Sequence, residues 1–441
     1  MIEDDLVATF TAALALPPVA VTFTGEPTLS SAYAVSSFAA AAVATAGIAA
    51  SSLSDAAAPV TLDRGLADAW FAAALTPVGW TLPSPWDAVA GDYASADGFI
   101  RLHTNAPRHK AAALAVLGVG PERSEVEAAV AAWGGDDLER AVVAAGGCAA
   151  VMRSADDWAH HPQGVAVAGE PLVAWSAGER AAARENWRPT PQKPLAGLRV
   201  LDLTRVIAGP VATRFLASLG ADVLRVDPPD WDEPVLVPEM TLGKRTTRID
   251  ATTTVGRDAL ERLIAHADVL VHGYRPGALD EIVPPDRRHD LRPGLIEVSL
   301  DAYGWRGPWS GRRGFDSLVQ MSSGIAEAGM AWADAATPTP LPVQALDHAT
   351  GYLAAAAVLS ALGRLRREGV SGSARLSLAR TALELPRSVE TVRVDGVHHA
   401  STRITTPWGD ADLLPSPLTV GDIAFEYERG PSDLGSDEPR W

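Results

Sequence analysis

The sequence is poor in cysteine and in clustered positive charge. Cys148 is the only cysteine among 441 residues. That excludes a disulfide framework and any cysteine-built zinc or iron–sulfur cage. Lysine and arginine total 37 against 54 aspartates and glutamates, a formal charge of −17. With no basic run in the chain, nucleic-acid and anionic-membrane roles have nothing to rest on, and an anionic ligand must be met by local cations. The opening Met1-Ile2-Glu3-Asp4-Asp5 is acidic where a secretory leader would be basic. Residues 32–50 are apolar enough to raise the question of a membrane span. They are mostly Ala, Ser, Thr and Gly, which gain little in lipid, so a buried helix is predicted. Apolar residues at 47% and charged residues at 21% suit two or three packed domains. A cytoplasmic globular protein is expected.

The pattern along the chain changes near 190. Residues 1–90 are Ala-rich and nearly free of basic side chains, the first being Arg64. Residues 91–190 mix amphipathic helical patterns with charge and run into a polar linker, Glu185–Lys193, with Trp187, Pro189 and Pro191. From 195 to 385 strand-forming and helical segments alternate. Residues 198–203 form a strand, 211–219 a helix stopped by Gly220, and 221–226 a second strand. Such βαβ spacing predicts an α/β fold, a doubly wound, Rossmann-like parallel sheet. A repeat is also present. The run 38–43 (Phe-Ala-Ala-Ala-Ala-Val) echoes 353–358 (Leu-Ala-Ala-Ala-Ala-Val) at an offset of 315, and strand-like pieces follow at 60–64 and 376–380.

The turn after the first strand, Thr204-Arg205-Val206-Ile207-Ala208-Gly209-Pro210, sits where an open α/β sheet binds nucleotides. The second strand ends at Asp227, where a dinucleotide enzyme would hold ribose. Only Gly209 of a G-x-G-x-x-G fingerprint is present, so NAD is disfavoured. Gly209-Pro210 also suits a plain chain break before a helix.

Leu201-Asp202-Leu203-Thr204-Arg205-Val206-Ile207-Ala208-Gly209-Pro210, then Gly220-Ala221-Asp222-Val223 and Pro228-Pro229, resemble the opening of the class III CoA-transferases, the group of formyl-CoA transferase, carnitine CoA-transferase and methylacyl-CoA racemase. Further motifs follow in family order: Gly243-Lys244-Arg245, Ala267-Asp268-Val269-Leu270-Val271, Arg275-Pro276-Gly277-Ala278-Leu279, Tyr303-Gly304-Trp305-Arg306-Gly307-Pro308, and Gly314-Phe315-Asp316 with Gln320 and Gly324. The resemblance implies a CoA-transferase that moves CoA from an acyl-CoA donor to a small carboxylic acid. It implies coenzyme A as co-substrate, no metal and a homodimer. Asp347, about 30 residues past the G-x-D motif, falls where the family has its aspartate nucleophile, at the start of a helix that would keep it ionised. A simple helix cap is the alternative role. CoA contacts are expected from Val206, Ile207, Ala208, Lys244, Gly273, Tyr274, Arg275, Gly314, Phe315 and Asp316.

The domain order departs from the family. Residues 94–101, Thr104-Asn105 and 146–162 resemble its small domain, which normally follows the sheet domain, and 406–435 resemble its carboxyl tail. The expected division is 1–90, an edge remnant of an earlier sheet-domain copy; 91–190, a smaller α+β domain and linker; 191–390, the CoA-binding sheet domain; and 391–441, a tail packed on the small domain. In the earlier copy the 315-residue offset puts Ala32 opposite Asp347. Phe315 stands where racemases carry histidine, which disfavours proton exchange. Pro228, Thr252 and Glu281 replace basic nucleotide contacts. Only Thr76-Pro77-Val78-Gly79-Trp80 answers to the family's glycine loop. Arg205, Lys244, Arg245 and Arg275 could supply charge, although a surface role suits Arg245. A non-catalytic acyl-CoA-binding homologue, and a racemase or lyase on the same scaffold, are the competing functions. His160-His161 and the His103/His109 pair lack ligand spacing and suit surface or capping roles. Cys148 suits a small buried hydrophobe.

Overall fold

In the computed structural model the described residues are 1–54, 57–176, 178–182, 184–390, 392 and 399–441. The amino-terminal part runs α1 (Ile2–Ala13), β1 (Val21–Thr24), α2 (Val35–Ser51), β2 (Val60–Asp63), α3 (Arg64–Ala72) and β3 (Leu75–Val78). Strands β1 and β2 pair in parallel, so β1–α2–β2 is a crossover unit. Every residue of α2 is buried. Its small side chains let a neighbouring helix approach closely, which accounts for the apolar run without a membrane.

The smaller domain consists of β4 (Gly91–Ala94), β5 (Phe99–Leu102), α4 (Pro107–Leu117), α5 (Arg123–Val130), α6 (Gly135–Ala144) and β6 (Ala149–Val151). Its antiparallel sheet, β4-β5-β6, packs Tyr93, Ile100 and Leu102 against Val126, Leu138 and Val142 of the helices. The short helices α7 (Ala155–His160) and α8 (Pro162–Ala168) lead out of it.

The sheet domain follows as β7 (Ala174–Trp175), β8 (Arg199–Leu203), α9 (Ala208–Ser218), β9 (Asp222–Asp227), α10 (Val237–Met240), β10 (Lys244–Arg248), α11 (Thr254–His266), β11 (Val269–His272), α12 (Pro285–Leu291), β12 (Ile296–Asp301), α13 (Asp316–Ser322), α14 (Ile325–Trp332), α15 (Ala345–Glu368), β13 (Ser373–Ser377) and α16 (Leu378–Ala382). Its strand order is β10-β9-β8-β11-β12-β13-β7. All pairs are parallel except the edge pair β13–β7. This is the expected doubly wound α/β sheet with a smaller α+β domain beside it. The strand order reverses between β8 and β11, the point where such sheets bind ligands beyond the strands' carboxyl ends. Helix α15 is long and apolar enough to cross a membrane by composition, yet its apolar window is wholly buried, packed against α2, α9 and β12.

At Gly351 a side chain would place Cβ 2.4 Å from the Ala208 carbonyl oxygen and 2.9 Å from Val211 Cβ. Glycine here lets α15 press on the turn that opens α9. Gly351→Ala is expected to destabilise the protein by about 2 kcal/mol through overpacking. Parallel thermal melts of the variant and the parent check this.

Helices α2 and α15 are the two copies of the repeat, and the structure corrects their register. Their N-caps share one geometry: Ala34 at φ −76°, ψ 67° and Gln344 at φ −76°, ψ 65°. Counted from these caps, the counterpart of Asp347 is Ser37, not Ala32. At the other end Asp63 and Ser377 each cap the next helix by accepting an N–H three residues on. The later unit is four residues longer between its caps, about one helical turn. An alanine run conceals such a shift.

The tail comprises β14 (Thr402–Thr406), β15 (Gly409–Leu413) and β16 (Leu418–Val420). It does not pack on the small domain as expected. Strand β15 pairs with β3 and β16 with β2. Farther on, Thr246 bonds Asp433 and Asp437, and the Trp441 indole donates to the Leu263 carbonyl. The cause is backbone bonding: β2, β3 and β10 each offer an open edge whose N–H and C=O groups need partners. Residues 76–80 belong to this pairing, with the Trp80 indole donating to the Asp410 carbonyl, so they form no loop over a ligand site. Residues 391 and 393–398 of the expected tail lie outside the described residues.

Candidate functional site

The turn after β8 is strained. Val206 has φ 67°, a conformation that a β-branched residue enters only when its surroundings hold it there. Its N–H donates to the Glu233 carboxylate at 3.0 Å. The turn presents Val206 and Ala208 to a cavity of about 500 Å³ at the sheet's switch point. Gly273, Tyr274 and Arg275 enter its wall from the loop after β11, and Gly314 and Phe315 from the segment before α13. Asp347 lies on the same wall, and the small domain adds Arg108 and His109. Most of the predicted site residues are therefore brought together.

Three are not. Ile207 is the N-cap of α9 and packs into the hydrophobic core. Lys244 is buried, donating to the Asp202 carboxylate at 2.9 Å, the Pro210 carbonyl at 3.0 Å and the Thr213 hydroxyl at 2.6 Å. Burial pushes its ammonium down to about 8 against the pull of Asp202. It holds the first turn of α9 to β8 and does not line the cavity. Asp316 lies beneath the cavity, where its carboxylate accepts the Asp347 N–H at 2.9 Å and an amide N–H of Gln320.

That last bond revises the expected electrostatics of Asp347. The free N–H groups at the start of α15 were expected to keep its own carboxylate ionised, but they point at Asp316, which takes the bonds from Leu346 and Asp347. Burial and then the neighbouring Asp316 raise the Asp347 carboxyl well above the ordinary aspartate range. Two buried carboxyls at one helix terminus resist both being charged. The same lining gathers Arg108, Arg205, Arg275, Arg312 and Arg313 together with Asp230, Asp250 and Asp301.

The imidazoles were misjudged. His103 and His109 are buried, not surface or capping groups. The His103 ring stacks on Phe315 with centroids 3.7 Å apart, and His109 meets the same ring edge-on at 6.0 Å. Burial drives them down to about 3 and about 4, so both are neutral. No spacing signal could have shown this, because the contact joins residues some 200 positions apart. Glu139 of the small domain clamps the same wall, accepting from Arg312 at 2.8 Å and Arg153 at 3.1 Å.

Other sequence expectations settle simply. Both Asp227 oxygens accept from Arg225, so no carboxylate is free to hold a ribose there. His161 caps α8 by accepting the Gln163 N–H. Arg245 pairs with Asp222 and donates to the Arg440 carbonyl. Pro228 and Thr252 line the cavity without supplying charge. Cys148 is buried, and burial pushes its thiol up to about 12, too high for a nucleophile. Among the described residues no cluster of three or more His, Cys, Asp or Glu side chains could hold a metal.

Comparison with known proteins gives a consistent result. Residues 195–398 match the family model CoA-transferase family III. The probable fatty acyl-CoA transferase Rv3272 of Mycobacterium tuberculosis is 35% identical over 216 residues, covering 44% of this chain and 53% of that protein. The acetyl-coenzyme A transferase nodX of Hypoxylon pulicicidum is 38% identical over 215 residues, covering 47% of this chain and 36% of that protein. A crystal structure of Rv3272 aligns over 44% of this chain and 56% of that one, with 35% identity and a TM-score of 0.41. The chain thus spans about half the length of the first relative and about a third of the second.

Proposed function

We propose, from the match of residues 195–398 to the CoA-transferase family III model, that this protein moves coenzyme A from an acyl-CoA to a carboxylic acid through a covalent intermediate on Asp347. The observation that carries this reading is the Asp347 carboxylate at the start of α15, in a switch-point cavity that gathers five arginines beside Asp230, Asp250 and Asp301. An Asp347 oxygen attacks the thioester carbonyl, the carbon–sulfur bond breaks, and CoA leaves as thiolate with a mixed anhydride formed. The thiolate then attacks the Asp347 carbonyl carbon, releasing the first acid as carboxylate and leaving an aspartyl–CoA thioester. The acceptor carboxylate attacks that thioester and repeats the two steps in reverse. Coenzyme A fits the residues present. Val206, Ala208 and Gly273 would line its path, and Arg205, stacked between Trp231 at 4.8 Å and Tyr274 at 5.4 Å, would meet its nucleotide. The guanidiniums would offset the oxyanion at each tetrahedral step.

Intact mass spectrometry after incubation with a panel of acyl-CoA thioesters tests the reading. An adduct of acyl or CoA mass that hydroxylamine removes is expected; no adduct with any donor would reject it.

The carboxyl pair also predicts a pH dependence. A nucleophilic Asp347 must lose a proton that burial and Asp316 make it hold. Activity should therefore rise with pH along an acid limb placed above the ordinary aspartate range. Asp316→Asn removes the neighbouring charge and should move that limb down by about one pH unit or more. Profiles of kcat/KM against pH for both proteins decide it.

A further inference from the structure

Helices α2 and α15 do more than repeat one another, because each copy also covers the other's helix start. The two helices pack together with their carboxyl ends adjacent. There Arg367, in the last turn of α15, donates to the carbonyl of Ser52, the C-cap of α2, at 3.3 Å. At the amino ends the contacts are exchanged. Helix α3 of the first copy covers the start of α15: the Phe71 ring stacks on His348 with centroids 4.9 Å apart and on Tyr352 at 6.0 Å. The segment after α16, in the second copy, covers the start of α2. Its Pro386 carbonyl accepts the Ala34 N–H at 3.1 Å, and its Glu390 carboxylate accepts the Ser36 N–H and the Ser37 hydroxyl at 3.2 Å each. The exchange uses corresponding positions. Counted from the caps Asp63 and Ser377, the counterpart of Phe71 is Leu385, beside Pro386. Counted from Ala34 and Gln344, the counterpart of His348 is Phe38. Leu385 and Phe38 are buried in the same core.

A contact in which each unit touches the other through the same places is what two identical chains make about a two-fold axis. Here both units belong to one chain. Neither side of the contact is left open: every residue of α2 is buried, and so is the whole apolar window of α15. A second chain could reach this face only by displacing a partner already tethered to it. The remaining surface offers no replacement. Among the described residues the exposed large apolar side chains are few, and Trp86, Val165, Val255 and Trp332 stand on four separate segments. A permanent dimer joins such side chains into one apolar patch. We infer that the first copy takes the place of a second subunit, so that a single chain, and not the homodimer implied by the family resemblance, is the folded and working unit. The built-in partner also reaches the site, since Phe71 packs on His348, the residue after Asp347. It has no Asp347 of its own: Ser37 stands there, with its hydroxyl taken up by Glu390. The inference concerns assembly and rests on the repeat, not on the transferase reading above.

Light scattering of the intact chain during gel filtration, at several loading concentrations, tests it. The single-chain mass of 46.1 kDa should hold throughout. A second measurement asks whether α2 packs on the α15 of its own chain. Ser54→Cys combined with Arg367→Cys places thiols at the adjacent helix ends, while the buried Cys148, with its thiol pushed up to about 12, stays unreactive. A flexible bis-maleimide should join the two new cysteines within one chain, giving one linker per chain by intact mass. A two-chain mass for the parent overturns the inference whichever way the link runs. A linked product of twice the chain mass also overturns it, because the copies would then be exchanged between chains. Where acyl-CoA exchange is observed, its rate per chain should not fall on dilution; a fall would show that a second chain is required. If no donor reacts, the transferase reading fails while the mass and the link still decide the assembly.

Discussion

Asp347→Asn is expected to lose CoA transfer by several orders of magnitude, on the order of 4 kcal/mol or more of transition-state stabilisation. An amide is far too weak a nucleophile to open a thioester, and the isosteric side chain leaves the cavity's shape intact. The same substitution should not weaken the fold. The parent Asp347 holds its proton more tightly folded than unfolded. Such a group contributes stability that is present below the ordinary aspartate value and lost as pH rises from there through the raised folded value. Asparagine has no proton to lose. The variant's melting temperature should therefore equal or exceed the parent's at neutral pH, with the gap closing as pH falls toward the ordinary aspartate range. Exchange of labelled CoA with acyl-CoA, followed beside melts at several pH values, measures both effects. Full exchange in the variant would leave Asp347 a mere helix residue and remove the transferase reading.

Lys244→Met should have the largest effect on stability. The change strips the buried Asp202 carboxylate of its ammonium partner, leaving it the hydroxyls of Thr204 and Thr213, the Thr204 N–H and the more distant Arg225 charge. Burial alone would raise that carboxyl, and Lys244 beside it holds it below the usual range. Breaking one side of a buried pair costs about 3–5 kcal/mol, while replacing both sides is often nearly neutral. Asp202→Asn together with Lys244→Met should recover much of the loss. Chemical denaturation of the single and double variants measures the coupling. If Lys244 instead touched CoA, the single variant would keep its stability and lose CoA affinity.

The two copies of the βαβ unit show what local pattern can and cannot reveal. Alternation of strand formers with helical runs between 198 and 378 set the doubly wound sheet, because strand and helix periods are properties of neighbouring residues. The helix that begins around Gly209-Pro210 and the aspartate at the start of α15 were visible for the same reason. The offset of 315 found the repeat but misplaced its helix start by five residues. Four added residues leave an Ala-rich face apolar, and only the cap geometry of Ala34 and Gln344 fixes the register.

The sequence by itself determined the fold class, the helix that carries Asp347, the turn at Val206 and the loop at Gly273–Arg275. Each of these depends on residues adjacent in the chain. Tertiary structure alone decided that Lys244 faces Asp202 and that Asp316 takes the helix N–H groups otherwise available to Asp347. It also decided that the tail closes the edges of β2 and β3 and that Arg108, Arg275 and Arg313 line one cavity. The reason is physical: burial and charge compensation are settled between segments far apart in sequence. A residue's type and spacing do not say which distant partner will remove it from water.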